Sequence, residues 1–187
     1  MKKINILIGK TLSGKNTVCE ILAEKYNIEK VVSFTTRPIR PGETHKVDYL
    51  FYDTDAVLLL LAYGRVVALR AYQPHIDYGP YPWYYGFVKS DILAFENPFL
   101  ITDFQGLKDL EKEFGKENIN SIYLDVSNEA QMDRLKKREE SSSNEQIRRI
   151  ADDNRAFEGI VDYVDHVIDA SLKPATVAKR ISDLIAT

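Results

Sequence analysis

The chain has 187 residues, of which 44% are hydrophobic and 28% charged, a composition typical of one folded globular domain with a sizeable core. Its formal net charge of −3 gives no electrostatic basis for binding nucleic acid. The longest apolar stretch, residues 56–62, is far too short to span a bilayer, and the single cysteine, Cys19, excludes internal disulfides and multi-cysteine metal sites. We therefore expect a cytoplasmic protein with neither a membrane nor a nucleic acid as its partner.

Short apolar runs alternate with segments of helical periodicity, which indicates an α/β fold with a core parallel sheet and flanking helices. The predicted core elements are, in chain order, a strand at 4–8, a helix at 15–26, a strand at 99–103, a helix at 107–114, a strand at 121–126, a helix at 129–138, a strand at 166–168 and a helix at 174–185. The middle of the chain differs, because prolines and tyrosines crowd around short strands at 48–52 and 66–72. These two strands predict a small separate sheet.

The first strand runs directly into GKTLSGKNT, which nearly fits the phosphate-loop motif of glycine, four residues and Gly-Lys-Ser/Thr. In such a loop the backbone N–H groups bind phosphate oxygens, the glycines permit close approach, and the lysine neutralises the β- and γ-phosphates. A glycine-rich turn without this function is the alternative, but both glycines, the lysine, the strand and the helix are all present. The predicted ATP site consists of Gly9, Lys10, Thr11, Leu12, Ser13, Gly14, Lys15, Asn16 and Thr17.

The residue after Lys15 departs from the motif, because Asn16 stands where serine or threonine is expected and a hydroxyl follows only at Thr17. The amide oxygen of Asn16 and the hydroxyl of Thr17 are both oxygen ligands of the kind that Mg²⁺ binds. Both are candidate metal ligands, and the sequence leaves the choice between them open.

After the first helix comes SFTTRPIRPGETHKVDY, residues 33–49, in which two arginines three residues apart lie near a hydroxyl and a phenol. Such a set forms a charge-assisted, multidentate clamp on phosphate. Prolines and a glycine stiffen the segment, which argues against a simple basic surface loop. The predicted clamp residues are Ser33, Arg37, Arg40 and Tyr49.

This segment resembles the acceptor-binding segment of the guanylate kinase family, with its form Ser-x-Thr-Thr-Arg-x-x-Arg-x-Gly-Glu followed by Asp-Tyr. The resemblance continues through YYG at 84–86, DFQG at 103–106, LKKR and IRRI around residues 135–150, and DHVID at 165–169. It implies a P-loop kinase fold in a single domain, residues 1–187. The core would be residues 1–32 and 87–187, with a small mixed acceptor-binding insert at about 33–86 and a short lid at about 138–149.

The resemblance also implies an activity, the transfer of the γ-phosphate of ATP, with Mg²⁺, to a (deoxy)nucleoside monophosphate, GMP or dGMP first. Small-molecule nucleotides would be the partners, and the chain would be a monomer or a homodimer. The implied catalytic residues are Lys15, Arg37, Asp103, Arg138 and Arg149, with Arg134 and Arg148 as near alternatives in the lid. The implied acceptor-binding residues are Ser33, Arg37, Arg40, Tyr49, Tyr85 and Asp103.

Two positions depart from the family pattern where its members read guanine. Ala68 stands in place of a glutamate, and Phe87 in place of a serine. Losing such a polar set should relax or change base choice. Arg70 and Asp77 are possible substitute readers, and either is equally consistent with a charge in a solvated loop.

Two alternatives stay open. Ala68 and Leu69 resemble the corresponding residues of ribose 1,5-bisphosphate kinases, so that such a kinase, or a kinase of another small phosphate monoester, is the second hypothesis. The third is a non-catalytic guanylate-kinase-like binding module, although such modules usually lose the phosphate loop that this chain retains. For Asp103, a purely structural cap at the end of a strand is the alternative to a catalytic role.

Overall fold

The computed structural model describes residues 3–73, 81–137 and 143–186, with the backbone alone described for 143–149. The first sheet is parallel throughout and has the strand order β6-β1-β7-β8. Its strands are β1 (Ile4–Gly9), β6 (Phe99–Thr102), β7 (Ile119–Asp125) and β8 (His166–Asp169). The helices of this part are α1 (Lys15–Tyr26), α4 (Phe104–Phe114), α5 (Asn128–Lys137), α6 (Ser143–Ala156) and α7 (Pro174–Ile185).

The continuous apolar run of β1 follows from its central place in a sheet covered on both faces. Because side chains alternate along a strand, Ile6 packs on one side with Leu107 and Leu110 of α4. Leu7 packs on the other side with Leu22 of α1. The predicted α/β fold is confirmed, and α1 and α7 have the predicted bounds.

The second sheet is mixed and has the order β3-β2-β5-β4. Its strands are β2 (Phe34–Thr35), β3 (Leu50–Phe51), β4 (Val66–Tyr72) and β5 (Trp83–Val88). Helix α2 (Thr54–Ala62) packs Val57 against Phe34 and Val88, and the short α3 (Lys89–Leu93) follows the sheet. The sequence pattern did not predict α2, although Asp53 caps it by accepting a hydrogen bond from the N–H of Ala56.

All four strands of the parallel sheet end at the same edge, which is where such sheets place their ligands. The phosphate loop follows β1, and Asp103 follows the neighbouring strand β6, since Ile8 pairs with Thr102. Among the helices of the described ranges, none combines the length and apolar character needed to cross a membrane.

Candidate active site

The loop after β1 has the backbone conformation that its glycines predict. Gly14, at the start of α1, has a φ of 95°, a left-handed conformation that favours glycine. At Gly9 an added Cβ would lie 2.5 Å from the Ser13 hydroxyl oxygen, so that a larger residue would collide with the loop itself. The two motif glycines are therefore required for the shape of the loop.

Lys15 lies across the inside of this loop. Its Nζ donates hydrogen bonds to the carbonyl oxygens of Gly9 (2.5 Å) and Lys10 (2.9 Å) and to the Ser13 hydroxyl (3.3 Å). Burial lowers the pKa of Lys15 to about 8, against an ordinary value of 10.5, and the nearby Asp153 carboxylate acts in the opposite direction. The ammonium group is thus held beside the loop and titrates close to physiological pH.

Helix α5 binds the outer side of the same loop through two buried or half-buried side chains. The amide of Gln131 donates to the carbonyl oxygen of Thr11 (2.7 Å), and the guanidinium of Arg134 donates to that of Leu12 (2.8 Å). Arg134 also donates to the carbonyl oxygen of Ala170, just after β8 (2.5 Å). Arg134 therefore joins the phosphate loop to the segment between β8 and α7.

A cavity of about 280 Å³ lies beside this arginine. Its walls include Thr17, Val18, Arg134, Ala170, Leu172 and Val177. The cavity combines apolar walls with a guanidinium, a combination that suits a flat aromatic base. Sequence reasoning did not predict it, because its residues come from three separate segments of the chain and share no spacing pattern.

Helix α6 contacts the loop from another side. The backbone N–H of Thr11 donates a short hydrogen bond to the carboxylate of Asp153, and Lys10 Nζ donates to the Asn154 side chain (2.8 Å). Sequence reasoning missed both contacts, because nothing in the run ADDN indicates which of its residues meets the loop. The structure therefore places a carboxylate next to the phosphate loop and near Lys15.

The second cluster of predicted residues surrounds Arg37, which is 5% exposed. Its guanidinium donates to the Glu43 carboxylate (2.6 Å) and lies over the ring of Tyr49, 5.6 Å from the centroid. Arg37 lowers the pKa of Glu43 through this hydrogen bond. Sequence reasoning did not assign Glu43 a role, although it stands in the quoted segment, three residues after Arg40.

The other predicted clamp residues lie around this pair. The rings of Tyr49 and Tyr85 are 6.0 Å apart in an edge arrangement, and Ser33 lies beside them through the backbone pairing of β2 and β3. Arg40 is exposed, and its backbone N–H donates to Glu43 (2.8 Å). The structure thus brings Ser33, Arg37, Tyr49 and Tyr85 together and leaves the Arg40 side chain in solvent at the rim.

Ala68 and Phe87, the two departures at predicted base-reading positions, are both buried. They are 6% and 3% exposed and belong to one apolar cluster with Ile92 and Leu100. Ala68 has a φ of 51° and lies at an irregularity of the β4–β5 ladder. These two positions therefore offer no hydrogen-bonding side chain to a ligand.

Asp103 caps helix α4, since its carboxylate accepts a hydrogen bond from the N–H of Gly106 (2.6 Å). The same carboxylate accepts from the Arg70 guanidinium of β4, with distances of 3.1 to 3.3 Å. This ion pair joins the edge of the second sheet to the carboxyl edge of the first. Arg70 pairs in register with Tyr85 of the clamp, so this contact links the sheet of the clamp to the edge at which the phosphate loop begins.

The guanylate kinase profile, described as "Guanylate kinase", matches residues 1–173, nearly the whole chain. The chain belongs to the guanylate kinase family. Guanylate kinases of Hyphomonas neptunium and Ralstonia nicotianae are each 29% identical to it. The first match covers 80% of this chain and 68% of the relative, and the second covers 89% and 76%.

The crystal structure of guanylate kinase from Anaplasma phagocytophilum has the same fold. It superposes with a TM-score of 0.67 at 23% identity, over 99% of this chain and 85% of that chain. Family membership accords with both the phosphate loop and the second sheet.

Four further predicted site residues belong to the lid and to the start of α1 of this guanylate kinase family member. Arg138 lies outside the described residues, and Arg149 lies in α6, where the backbone alone is described. Asn16 and Thr17 are both exposed in the first turn of α1, and Thr17 also borders the cavity. Cys19 is half-buried, and burial raises the pKa of its thiol to about 12, which disfavours the thiolate form that a nucleophilic cysteine needs.

Asp153 provides the first test of the site. We expect Asp153→Ala to bind ATP about 3- to 10-fold more tightly, because incoming phosphates no longer compete with a carboxylate for the Thr11 N–H and Lys15. Isothermal titration calorimetry with Mg-ATP measures the change. Asp152→Ala is the matched control, since it removes the same charge from an exposed position of the same helix. Equal effects of the two variants, or weaker binding by Asp153→Ala, would contradict the expectation.

Proposed function

We propose that this chain transfers the γ-phosphate of ATP to a phosphate monoester, with a (deoxy)nucleoside monophosphate, GMP or dGMP first, as the acceptor. The observation that carries the proposal is that one chain contains two sets of residues whose chemistry suits phosphate. One is the glycine loop with Lys15, and the other is the arginine clamp around Arg37. A kinase acting on a phosphate monoester needs both, one for the donor and one for the acceptor.

The donor site would be formed by the phosphate loop and the cavity beside Arg134. Loop N–H groups and Lys15 would hold the β- and γ-phosphates, and the adenine base would enter the cavity between apolar walls and the guanidinium. The N-terminal end of α1 lies at the loop, so its dipole adds to the favourable potential.

The residues at the start of α1 fit a magnesium ion. Asn16 and Thr17 both offer neutral oxygen donors, both are exposed, and Mg²⁺ usually combines one or two protein ligands with water and substrate phosphates. We infer that one of the two holds the ion. When bound, Mg²⁺ would neutralise charge on the donor phosphates.

The acceptor phosphate would lie against the clamp. Arg37 is held in place by Glu43 and by the ring of Tyr49, which leaves part of its guanidinium for the phosphate. Ser33, Arg40, Tyr49 and Tyr85 would supply further donors, and Asp103 would orient the acceptor at the carboxyl edge of the sheet. Arg138 and Arg149 would close over the transferring group and, with the insert at about 33–86, exclude water.

A second candidate, a kinase for ribose 1,5-bisphosphate or another small phosphate monoester, is supported by one observation. Ala68 and Phe87 are apolar and buried, so that two positions expected to read guanine present no polar atoms from their side chains. A pocket that lacks its paired polar contacts keeps only about 10- to 200-fold discrimination from shape. The second candidate therefore shares the donor site and the clamp and differs in the acceptor.

Coupled ADP release with Mg-ATP tests both candidates. The panel consists of the eight common NMPs and dNMPs and ribose 1,5-bisphosphate, with an acceptor-free control. We expect transfer to GMP or dGMP with a preference of no more than about 200-fold over the other nucleotides. Release no faster than the control with every acceptor would refute the proposal. Absence of thermal stabilisation by excess Mg-ATP would then support the non-catalytic binding module.

A further inference from the structure

Strand β4 contains one residue more than β5 between two paired positions. Val67 pairs with Phe87 and Arg70 pairs with Tyr85, so that three steps along β4 match two steps along β5. Without the extra residue, Leu69 would face Tyr85. The bulge, with Ala68 in a left-handed conformation at φ 51°, inverts the alternation of side chains beyond it.

The inversion decides which side chain lies next to the clamp. Residues directly opposite each other in an antiparallel pair have their side chains on the same face. Arg70 therefore shares a face with Tyr85, whose ring contacts Tyr49 and whose phenol faces Arg37. Arg70 extends the polar surface of the clamp toward the carboxyl edge of the parallel sheet.

The hydrogen bonds of Arg70 within the described residues use four of the five N–H groups of its guanidinium. Its Nε–H and one N–H go to Asp103, and two more N–H groups go to the carbonyl oxygen of Leu69 (2.6 Å) and to Asp109 (2.7 Å). A guanidinium has five N–H donors, so within the described ranges one remains. It lies beside the half-exposed carboxylate of Asp103, whose Oδ2 accepts only from Arg70 among the described residues.

We propose that Arg70, presented together with Asp103, is the specificity-determining residue for the part of the acceptor that is not phosphate. One N–H donor next to one carboxylate oxygen is complementary to a group with an oxygen acceptor beside an N–H or O–H donor. The lactam edge of a nucleobase and the 2′,3′-diol of a ribose both have this chemistry. The inference rests on the proposed function, because it takes the Arg37 clamp as the acceptor phosphate site.

The test compares Arg70→Met with the wild type on GMP, dGMP and ribose 5-phosphate. Methionine keeps the unbranched apolar stem and removes every side-chain N–H. We expect kcat/KM to fall about 10- to 100-fold for the acceptors that carry the recognised group, with Kd for ATP unchanged. A loss with GMP and dGMP but not ribose 5-phosphate identifies a base edge. A loss with GMP and ribose 5-phosphate but not dGMP identifies the 2′-hydroxyl.

Three further variants separate recognition from a structural bridge. Arg65→Met is the matched control, because Arg65 is exposed at the start of the same strand region. Asp109→Asn weakens the ion pair between Arg70 and helix α4 but leaves the contact of Arg70 with Asp103 in place. If Arg70 determines specificity, the ratios of kcat/KM between the three acceptors should be unchanged in this variant. If Arg70→Met does not fold, Arg70→Lys, which retains the charge, is compared on the same ratios.

The outcomes distinguish the inference from the proposed function. The role of Arg70 would be overturned if Arg70→Met lowered kcat/KM equally for all three acceptors. It would also be overturned if Asp109→Asn changed the ratios of kcat/KM between acceptors as much as Arg70→Met does. No ADP release by the wild type with any acceptor would refute the proposed function itself.

Discussion

Lys15→Met is expected to lower the rate of phosphoryl transfer by about 10²- to 10³-fold or more, because a charge aimed at the transferring phosphates is lost. The fold should survive, since among the described residues the lysine bonds only to the loop: to the carbonyl oxygens of Gly9 and Lys10 and to the Ser13 hydroxyl. Single-turnover kinetics and thermal unfolding measure the two effects. Lys10→Met is the matched control, because Lys10 is a loop lysine whose ammonium group contacts Asn154 instead.

The pKa of Lys15 adds a test that does not depend on activity. In the free protein the pKa is about 8, so the ammonium loses its proton as the pH rises through that value. Bound phosphates favour the charged form and raise the pKa again, so ATP binding should weaken above about pH 8 and take up protons. Calorimetry in buffers of different ionisation enthalpy at pH 8.5 measures this uptake. Near-normal turnover by Lys15→Met, or equal proton uptake in that variant, would contradict the assignment.

Arg37→Ala is expected to lower kcat/KM by about 100-fold or more for every acceptor alike, because charge-assisted hydrogen bonds to the phosphate are worth about 1.5–3 kcal/mol each. The variant should also be less stable by about 1.5–3 kcal/mol, since it removes the charge-assisted hydrogen bond between the buried Arg37 and the half-buried Glu43. Acceptor kinetics and chemical denaturation measure the two losses separately.

Three comparisons separate recognition from folding in the Arg37 experiment. ATP affinity should remain near the wild-type value, because the donor loop belongs to the other sheet. Arg37→Lys keeps the charge but loses the forked geometry of the guanidinium, so its kcat/KM should lie between the values of the wild type and of Arg37→Ala. Arg40→Ala should cost less than Arg37→Ala, because the Arg40 side chain is exposed to solvent. A loss confined to one acceptor would show that Arg37 reads something other than the shared phosphate.

Much of the fold could be predicted from periodicity. The strand at β1 and the helices α1 and α7 follow directly from apolar runs and amphipathic spacing, since a central strand of a covered sheet must be apolar throughout. Helix α2 was missed because its run TDAVLLLLA is apolar on nearly every side and has no clear helical stripe.

The loop and the clamp could be predicted because each is local in sequence. Gly9, Gly14 and Lys15 lie within seven residues, and Arg37, Arg40 and Tyr49 within thirteen. Short-range geometry is fixed by backbone conformation, so residue type and spacing alone indicate the chemistry.

Contacts between distant segments were decided only by the tertiary structure. Asp153 contacts Thr11 of the phosphate loop although the two residues are 142 positions apart in the sequence, and Arg70 contacts Asp103, 33 positions away. No rule of sequence spacing connects such pairs. The face on which Arg70 lies depends on a single extra residue in β4, because side chains alternate with a period of two and one inserted residue reverses the pattern. The sequence by itself determined the glycine loop and the arginine cluster, because each is local in the chain, whereas packing and register decided which other side chains surround them.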